Sequence, residues 1–345
     1  MAYVTKYGTV FGQLPQQLGR VHFVSPGASY AIDGRSYDAS DENDGLSPER
    51  AIRTLSQALT NARSGEGETV FLLRGTHAQT ATLRWNKSVS IVGESPAIDM
   101  TGAAVGILPP SILSFVGAAA PGLSIEADNV SLVHLTLRPA PTFSTVIFRN
   151  ASPDALIAHD VVVDFSKGQP SLATLGFDFG YRADTAGLVG TSMSRLAQTT
   201  QLATAYMSNV RVLSNGAYGP GVLTATADLT FVNGRFHNRI GVWATAFAVA
   251  TGTGYVFIAN SSWSGQGTSN IGTPIDGTNA GIITGKVRCQ DLRFGIRNTA
   301  VSNSSIDNFA TSVVEVVECY ESNNAAGQNP AVLGVATAYQ VVSSV

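Results

Sequence analysis

Seven short β-prone runs along this chain each close on a small or medium apolar residue followed by a polar one. They are Val133-His134, Ala158-His159, Met207-Ser208, Val232-Asn233, Ala259-Asn260, Cys289-Gln290 and Cys319-Tyr320. The steps between them are 25, 49, 25, 27, 30 and 30 residues, and 49 reads as two steps of 25. Repetition at such a period marks stacked supersecondary units, each of which buries its apolar face only against its neighbours. Residues one period apart then lie above one another at strand separation, about 4.8 Å. Val, Ala, Met and Cys become an inward ladder, with Asn233 and Asn260 in a column of turns. A sandwich or jelly roll is the competing arrangement, but it has no need of this period.

A stack of strands has open ends, and the stretch from Asn43 to Gly93 reads as the cover for the first of them. Asn43-Asp44-Gly45 is turn chemistry, and Ser47-Pro48-Glu49 has the cap, proline and early acid that begin a helical turn. Leu55, Ala58, Leu59 and Ala62 then recur at helical spacing and form one apolar stripe. A helix this short is marginal alone, so it must lie on an apolar surface. Val70 to Leu73 and Val89 to Val92, closed by Gly75 and Gly93, read as the strands that supply it. Parallel strands joined by crossovers take the right-handed path almost without exception. The expected fold is therefore all-β: a right-handed single-stranded parallel β-helix, or solenoid, with a short N-terminal capping helix formed by Leu55, Ala58 and Leu59.

The run Asp44-Gly45-Leu46-Ser47-Pro48-Glu49, with Ala51, Thr54 and Leu55 behind it, resembles the amino-terminal cap of the pectate-lyase-like superfamily of right-handed parallel β-helix proteins. The first strand, Gly67-Glu68-Thr69-Val70-Phe71, and the turn at Arg74-Gly75-Thr76 continue the likeness. Glu68 stands where Asp is usual, and Arg74 where proline is common. About fifty residues carry the resemblance, and they imply an architecture without a catalytic group.

Four segments follow from this reading. Residues 1–24 form an N-terminal arm with irregular apolar residues, 25–66 the lead-in and capping helix, 67–331 the β-helix, and 332–345 a last strand or tail. Residues 166–205 and 265–285, rich in Gly, Ser, Thr and Asn, are the expected loop insertions. Only 13% of residues are charged, about half the usual share. The cations are mostly Arg, which is favoured over Lys at protein interfaces. A net charge of −3 offers no basic footprint for nucleic acid. The first residues lack an apolar leader, and no run is long enough to span a membrane, so the chain is expected to be made in a cytoplasm and to leave it, if at all, inside a particle.

Polysaccharide-cleaving enzymes on this fold use paired carboxylates, or calcium with a basic residue. Asp160 and Asp164 on one predicted strand would share a face about 13 Å apart, too far for a pair without help from Asp178. Asp184 and Glu126 are more distant still in sequence. The polygalacturonase set is absent, apart from a fragment at Arg239-Ile240-Gly241. His134 and His159 read as a stacked pair at the turns. Cys289 and Cys319 read as unpaired inward residues close to Ala259, and Trp85, Trp243 and Trp263 as buried. The expectation is a non-enzyme with no catalytic residue, cofactor or metal.

Fold and composition together resemble the β-helical virion proteins of tailed bacteriophages. That resemblance implies a homotrimeric decoration, or cement, protein bound to the major capsid protein. Tyr3, Tyr7, Phe11 and Leu14 of the arm are its expected contacts. The alternatives are a tail-spike or receptor-binding protein acting on host polysaccharide, and a β-helical carbohydrate-binding module.

Overall fold

The computed structural model describes residues 19–32, 34–94, 111–116, 123–139, 148–150, 156–164, 177–179, 203–214, 222–224, 227–238, 243–249, 255–265, 271–276, 286–290, 292–297, 306–307, 313–317, 319–323, 327–330 and 340–341. The turn at Asn43 to Gly45 is built as its chemistry demands. The Asn43 amide donates to Ala51 O at 2.9 Å, Leu46 N donates to the Asp44 carboxylate at 3.1 Å, and Gly45 sits at φ +69° against the Ile52 side chain. Pro48–Arg50 is a single 3₁₀ turn, and Ser47 makes no side-chain cap there. The α-helix begins later, at Leu55–Asn61, where the Thr54 hydroxyl accepts from Gln57 N and is itself held by Asp41. Leu55, Ala58 and Leu59 are buried, in one cluster with Val24, Ile52, Val70, Leu72, Leu83 and Trp85.

Most of the remaining described chain is strand, in three long parallel sheets. The first has eleven strands, from Val21–Val24 through Thr69–Leu72, Ser90–Gly93, Val130–Val133, Leu156–His159, Ala203–Ser208, Ala227–Val232, Val256–Ala259, Lys286–Gln290 and Val313–Val317 to Gln340–Val341. The second starts at Gly75–Gln79 and the third at Leu83–Trp85, and strands enter the three sheets in rotation along the chain. Every pairing among the described strands is parallel except Tyr320–Asn323 with Gly327–Pro330 and the hairpin Ser29–Ile32 with Arg35–Asp38. Inward residues from all three sheets share one core: Ile91, Leu132 and Phe231 from the first, Leu113, Val163 and Phe236 from the second, Leu123 and Ile125 from the third. The chain is thus all-β with parallel sheets, a geometry compatible with a parallel β-helix. At its amino-terminal end the outer face of the first sheet is covered too, where Phe23, Phe71, Val92 and Val133 pack with Ala51 and Tyr30.

Pairing assigns several segments. Val21–Val24, placed in the arm, is the edge strand of the first sheet and pairs with Thr69–Leu72. The step of 49 residues is one circuit of the chain rather than two, because Leu156–His159 pairs directly with Ala205 to Ser208. The two expected loops contain sheet strands, Phe177–Phe179 and Ile271–Asp276, both in the third sheet. Gln340–Val341 extends the first sheet beside Val313–Val317.

The turn column between the first and second sheets is also shifted. Its members are His134, Asp160, Asn209, Asn233 and Asn260, all left-handed with φ between 48° and 56°. Asn, Asp and His are the non-glycine residues that tolerate this conformation best. Each turn continues the sheet hydrogen bonding: His134 N donates to His159 O, Asp160 N to Ser208 O, Asn209 N to Val232 O, Asn233 N to Ala259 O and Asn260 N to Gln290 O, all at 3.1 Å. His159 and Ser208 lie one residue earlier, on the strands. Asn233→Val should cost about 1–3 kcal/mol, because a β-branched side chain is strained at φ 56°. Asn233→Gly should be nearly neutral, and urea unfolding of the two variants measures the difference.

Cys289 and Cys319 are buried thiols. They occupy different columns: Cys289 pairs with Ile258 and Val316, whereas Cys319 follows the strand end, its thiol donating to Cys289 O at 3.5 Å. Burial pushes the Cys289 thiol well up, and Cys319 adds to it, so neither the thiolate nor its chemistry is favoured. Trp85 is fully buried and donates to Val89 O at 2.7 Å. The side chains of Trp243 and Trp263 lie outside the described set.

Candidate functional site

Strand alternation on the first sheet turns Leu156, Ala158 and Met207 into the core and leaves Ile157, His159, Tyr206 and Ser208 on the outer face. His159 and Ser208 are cross-strand partners, and the His159 Nδ1 to Ser208 Oγ distance is 2.7 Å. The left-handed turns add two more polar groups to this point. Asp160 Oδ2 lies 3.3 Å from His134 Nδ1 and 3.4 Å from His159 Nε2, and the imidazoles meet edge-on at 6.0 Å. As a carboxylate, Asp160 sits within ion-pair distance of both rings, and the His159 Nδ1 and the Ser208 hydroxyl share a hydrogen bond whose donor follows the imidazole tautomer. Burial lowers the pKa of His134 and His159 lowers it further, while Asp160 opposes both.

Serine, histidine and aspartate in this order are the groups of acyl transfer. Here, however, Ser208 is only 6% exposed, so the hydroxyl lies beneath the histidine instead of facing a substrate. What the arrangement does without help is fix His159 and cross-link two adjacent strands. The same two strands carry a second outward pair two residues earlier, Ile157 and Tyr206, which are 40% and 47% exposed. That column continues through Thr230 to Phe257 and Arg288, whose guanidinium lies 5.9 Å from the Phe257 ring centroid. Tyr255 is exposed on the strand side of the same face.

The acids weighed from sequence do not converge. Asp160 is at a turn, and Asp164 belongs to the second-sheet strand Val162–Asp164, so the two share no strand. Asp164 is buried and accepts from Arg138 Nε at 3.0 Å and Nη2 at 2.8 Å. Asp178 is on the third sheet. Glu126 stands 3.7 Å from Arg84, while Asp184 and Arg239 are outside the described residues. Among the described residues no group of three or more His, Cys, Asp or Glu is placed to hold a metal ion. No helix among them is long and apolar enough to cross a membrane. Tyr3, Tyr7, Phe11 and Leu14 lie outside the described residues.

The polar cluster was half legible. His134, His159 and Asp160 are candidates from the sequence, whereas Ser208 is not, because reading the step of 49 as two circuits sets a strand between it and His159. Residue types suited to positive φ were the signal that would have set the register. Comparison with protein-family models, curated proteins and solved structures finds no match.

Proposed function

We propose that the chain is a right-handed parallel β-helix serving as a structural virion protein of a tailed bacteriophage. In this reading it is a homotrimeric capsid decoration protein bound to the major capsid protein. The observation that carries the reading is the row Ile157, Tyr206, Thr230 and Phe257 across successive strands of one outer sheet face, with Arg288 beside Phe257. Aromatic residues and Arg are enriched in protein interfaces, and a rigid sheet presents them at fixed spacing. The lightly charged composition, 13% of residues, fits a surface that is largely covered in an assembly. Residues 1–18, with Tyr3, Tyr7, Phe11 and Leu14, supply the contact to the shell, since apolar anchors contribute most when they fill a partner's pockets.

Two measurements test this. Quantitative mass spectrometry of purified particles should give copies in the hundreds, about as many as a shell component requires. Removing residues 2–18, which spares Val21–Val24, should leave a folded trimer by light scattering that no longer binds heads lacking the protein. A few copies per particle, or undiminished binding by the truncated chain, refutes the assignment.

Exposed Tyr206 and Tyr255 on the same face as His159 favour a second reading, a tail-spike or receptor-binding protein that binds or cleaves host polysaccharide. Release of new reducing ends or acyl groups from host capsule or lipopolysaccharide, abolished in His159→Ala, would establish it over the first.

A further inference from the structure

From Thr69–Leu72 to Val313–Val317, each first-sheet strand is followed along the chain by a second-sheet strand. Val21–Val24 is not. After it the chain turns away: Pro26 packs over Gly75, Ser29–Ile32 enters the hairpin, and Gly75–Gln79 is left as the edge of the second sheet. Beside that edge lies a cleft of about 380 Å³, between Ser25 to Ala28, the start of the helix at Arg53 to Ser56, and His77 to Leu83.

The pairing decides which backbone groups this edge leaves open. Gly75–Gln79 runs parallel to Ser111–Phe115 in unbroken register, and Val116 N donates to Gln79 O at 2.8 Å. Residues of a strand between two parallel neighbours turn their N–H and C=O alternately to one and the other. Gly75, His77 and Gln79 therefore bond toward Ser111–Phe115, while Thr76 and Ala78 present theirs to the open side, where an edge strand is a template for pairing. Both residues are exposed, Ala78 lines the cleft, and no group among the described residues bonds to their backbones on that side. Buried Leu55 and Leu83 form an apolar wall. Arg53 is the only charged residue lining the cleft; it is exposed and forms no ion pair among the described residues.

We propose that the cleft docks an extended acidic segment of a partner protein, taken up as the strand that the second sheet lacks at this end. Its backbone pairs with Thr76 and Ala78, an apolar side chain rests against Leu55 and Leu83, and a carboxylate meets Arg53. Strand addition of this kind draws affinity from main-chain bonds and selectivity from alternate side chains. Two observations select the occupant. Each second-sheet strand from Ser111–Phe115 to Tyr320–Asn323 has a strand on both sides, so a strand is what this sheet accepts at the next position. The unpaired Arg53 then favours an acidic over a basic segment through charge complementarity. The cleft is apart from the outer face of the first sheet, and the inference does not depend on the virion reading.

The test is calorimetry and amide hydrogen exchange by NMR on the full chain with two peptides, acetyl-Thr-Val-Thr-Val-Glu-amide and acetyl-Glu-Val-Thr-Val-Thr-amide, which between them cover both strand directions. At least one should bind with a dissociation constant of about 1 mM or tighter and slow exchange at Thr76 and Ala78. Replacing its Glu by Lys should weaken binding about threefold to tenfold, and Arg53→Glu should reverse that preference. N-methylation of alternate peptide amides, which needs no change to the protein, should weaken binding at least about tenfold. Ala78→Pro should do the same, since proline removes an outward N–H from an edge strand and spares the bonds to Ser111–Phe115. Binding by neither acidic peptide, equal binding of the Lys forms, or binding indifferent to N-methylation overturns the proposal. So does protection of Thr76 and Ala78 without peptide that is lost on dilution or on removing residues 2–18, because a second copy or this chain's own arm then fills the edge.

Discussion

Ala58→Asp should unravel the capped end of the sheets while leaving their far end intact. Ala58 is fully buried in the middle of the helix Leu55–Asn61, against a core that includes Val70, Leu72 and Trp85. An aspartate there is too large for the site and carries a charge with no partner. Overpacking costs about 1–3 kcal/mol and an unpaired buried charge several more, so the helix should leave the core rather than accept the residue. The described strands of the three parallel sheets pair with neighbours in adjacent circuits, so the damage should be local. Hydrogen exchange gives the measurement: amides of Thr69–Leu72 and Ser90–Gly93 should lose protection, while those of Val256–Ala259 keep theirs. Ser56→Asp, on the exposed face of the same helix near its amino terminus, should change little or stabilise slightly. Equal loss at both ends, or none, would mean that the helix does not seal the core.

The cap was the part of the fold most legible in the sequence, because every step in it is local. Asn-Asp-Gly, the apolar stripe and the closing glycines act over a few residues, and each has its own chemistry. Glu68 shows where local reading stops. In sequence it is only a departure from the usual Asp, but its buried carboxylate accepts from Arg63 N at 2.7 Å and lies 3.0 Å from His22 Nε2. Burial raises its pKa, but those hydrogen bonds outweigh that and hold it below the ordinary carboxylate value. His22 is on the strand that sequence reading left in the arm, 46 positions away, and nothing local announces the pair.

Register was lost for a related reason. Apolar residues recur on both faces of a strand that is covered on both sides, as Phe71, Val92 and Val133 are. An alignment keyed to the apolar residue therefore slides by one without penalty, and a slip of one exchanges core for surface. That slip puts His159 at a turn with His134, while its contact with Ser208 is hidden by reading the step of 49 residues as two circuits. The left-handed turn is the stricter marker, since few residue types accept it, and His134, Asp160, Asn209, Asn233 and Asn260 all belong to that small set.

The second large effect is expected where one of these turns meets the core. Gly234 follows Asn233, and a Cβ placed on it would lie 2.0 Å from Phe231 Cε1. Phe231 has no room to yield, being fully buried with its ring 5.6 Å from that of Phe236. The Gly234 backbone is also fixed, since its N–H donates to the buried Ser261 hydroxyl at 3.0 Å. Phe231→Ala alone should cost about 3–5 kcal/mol through the cavity it leaves. Gly234→Ala alone should cost about 1–3 kcal/mol or more, because the methyl group and the ring need the same space. Together they should cost clearly less than the sum: with the ring gone, the new methyl enters the cavity instead of a clash. A double-mutant cycle by urea unfolding reads the coupling, expected at about 1–3 kcal/mol in the compensating direction. Strict additivity would place the Phe231 ring away from Gly234, and the register of the first sheet at Ala227–Val232 would then have to move with it.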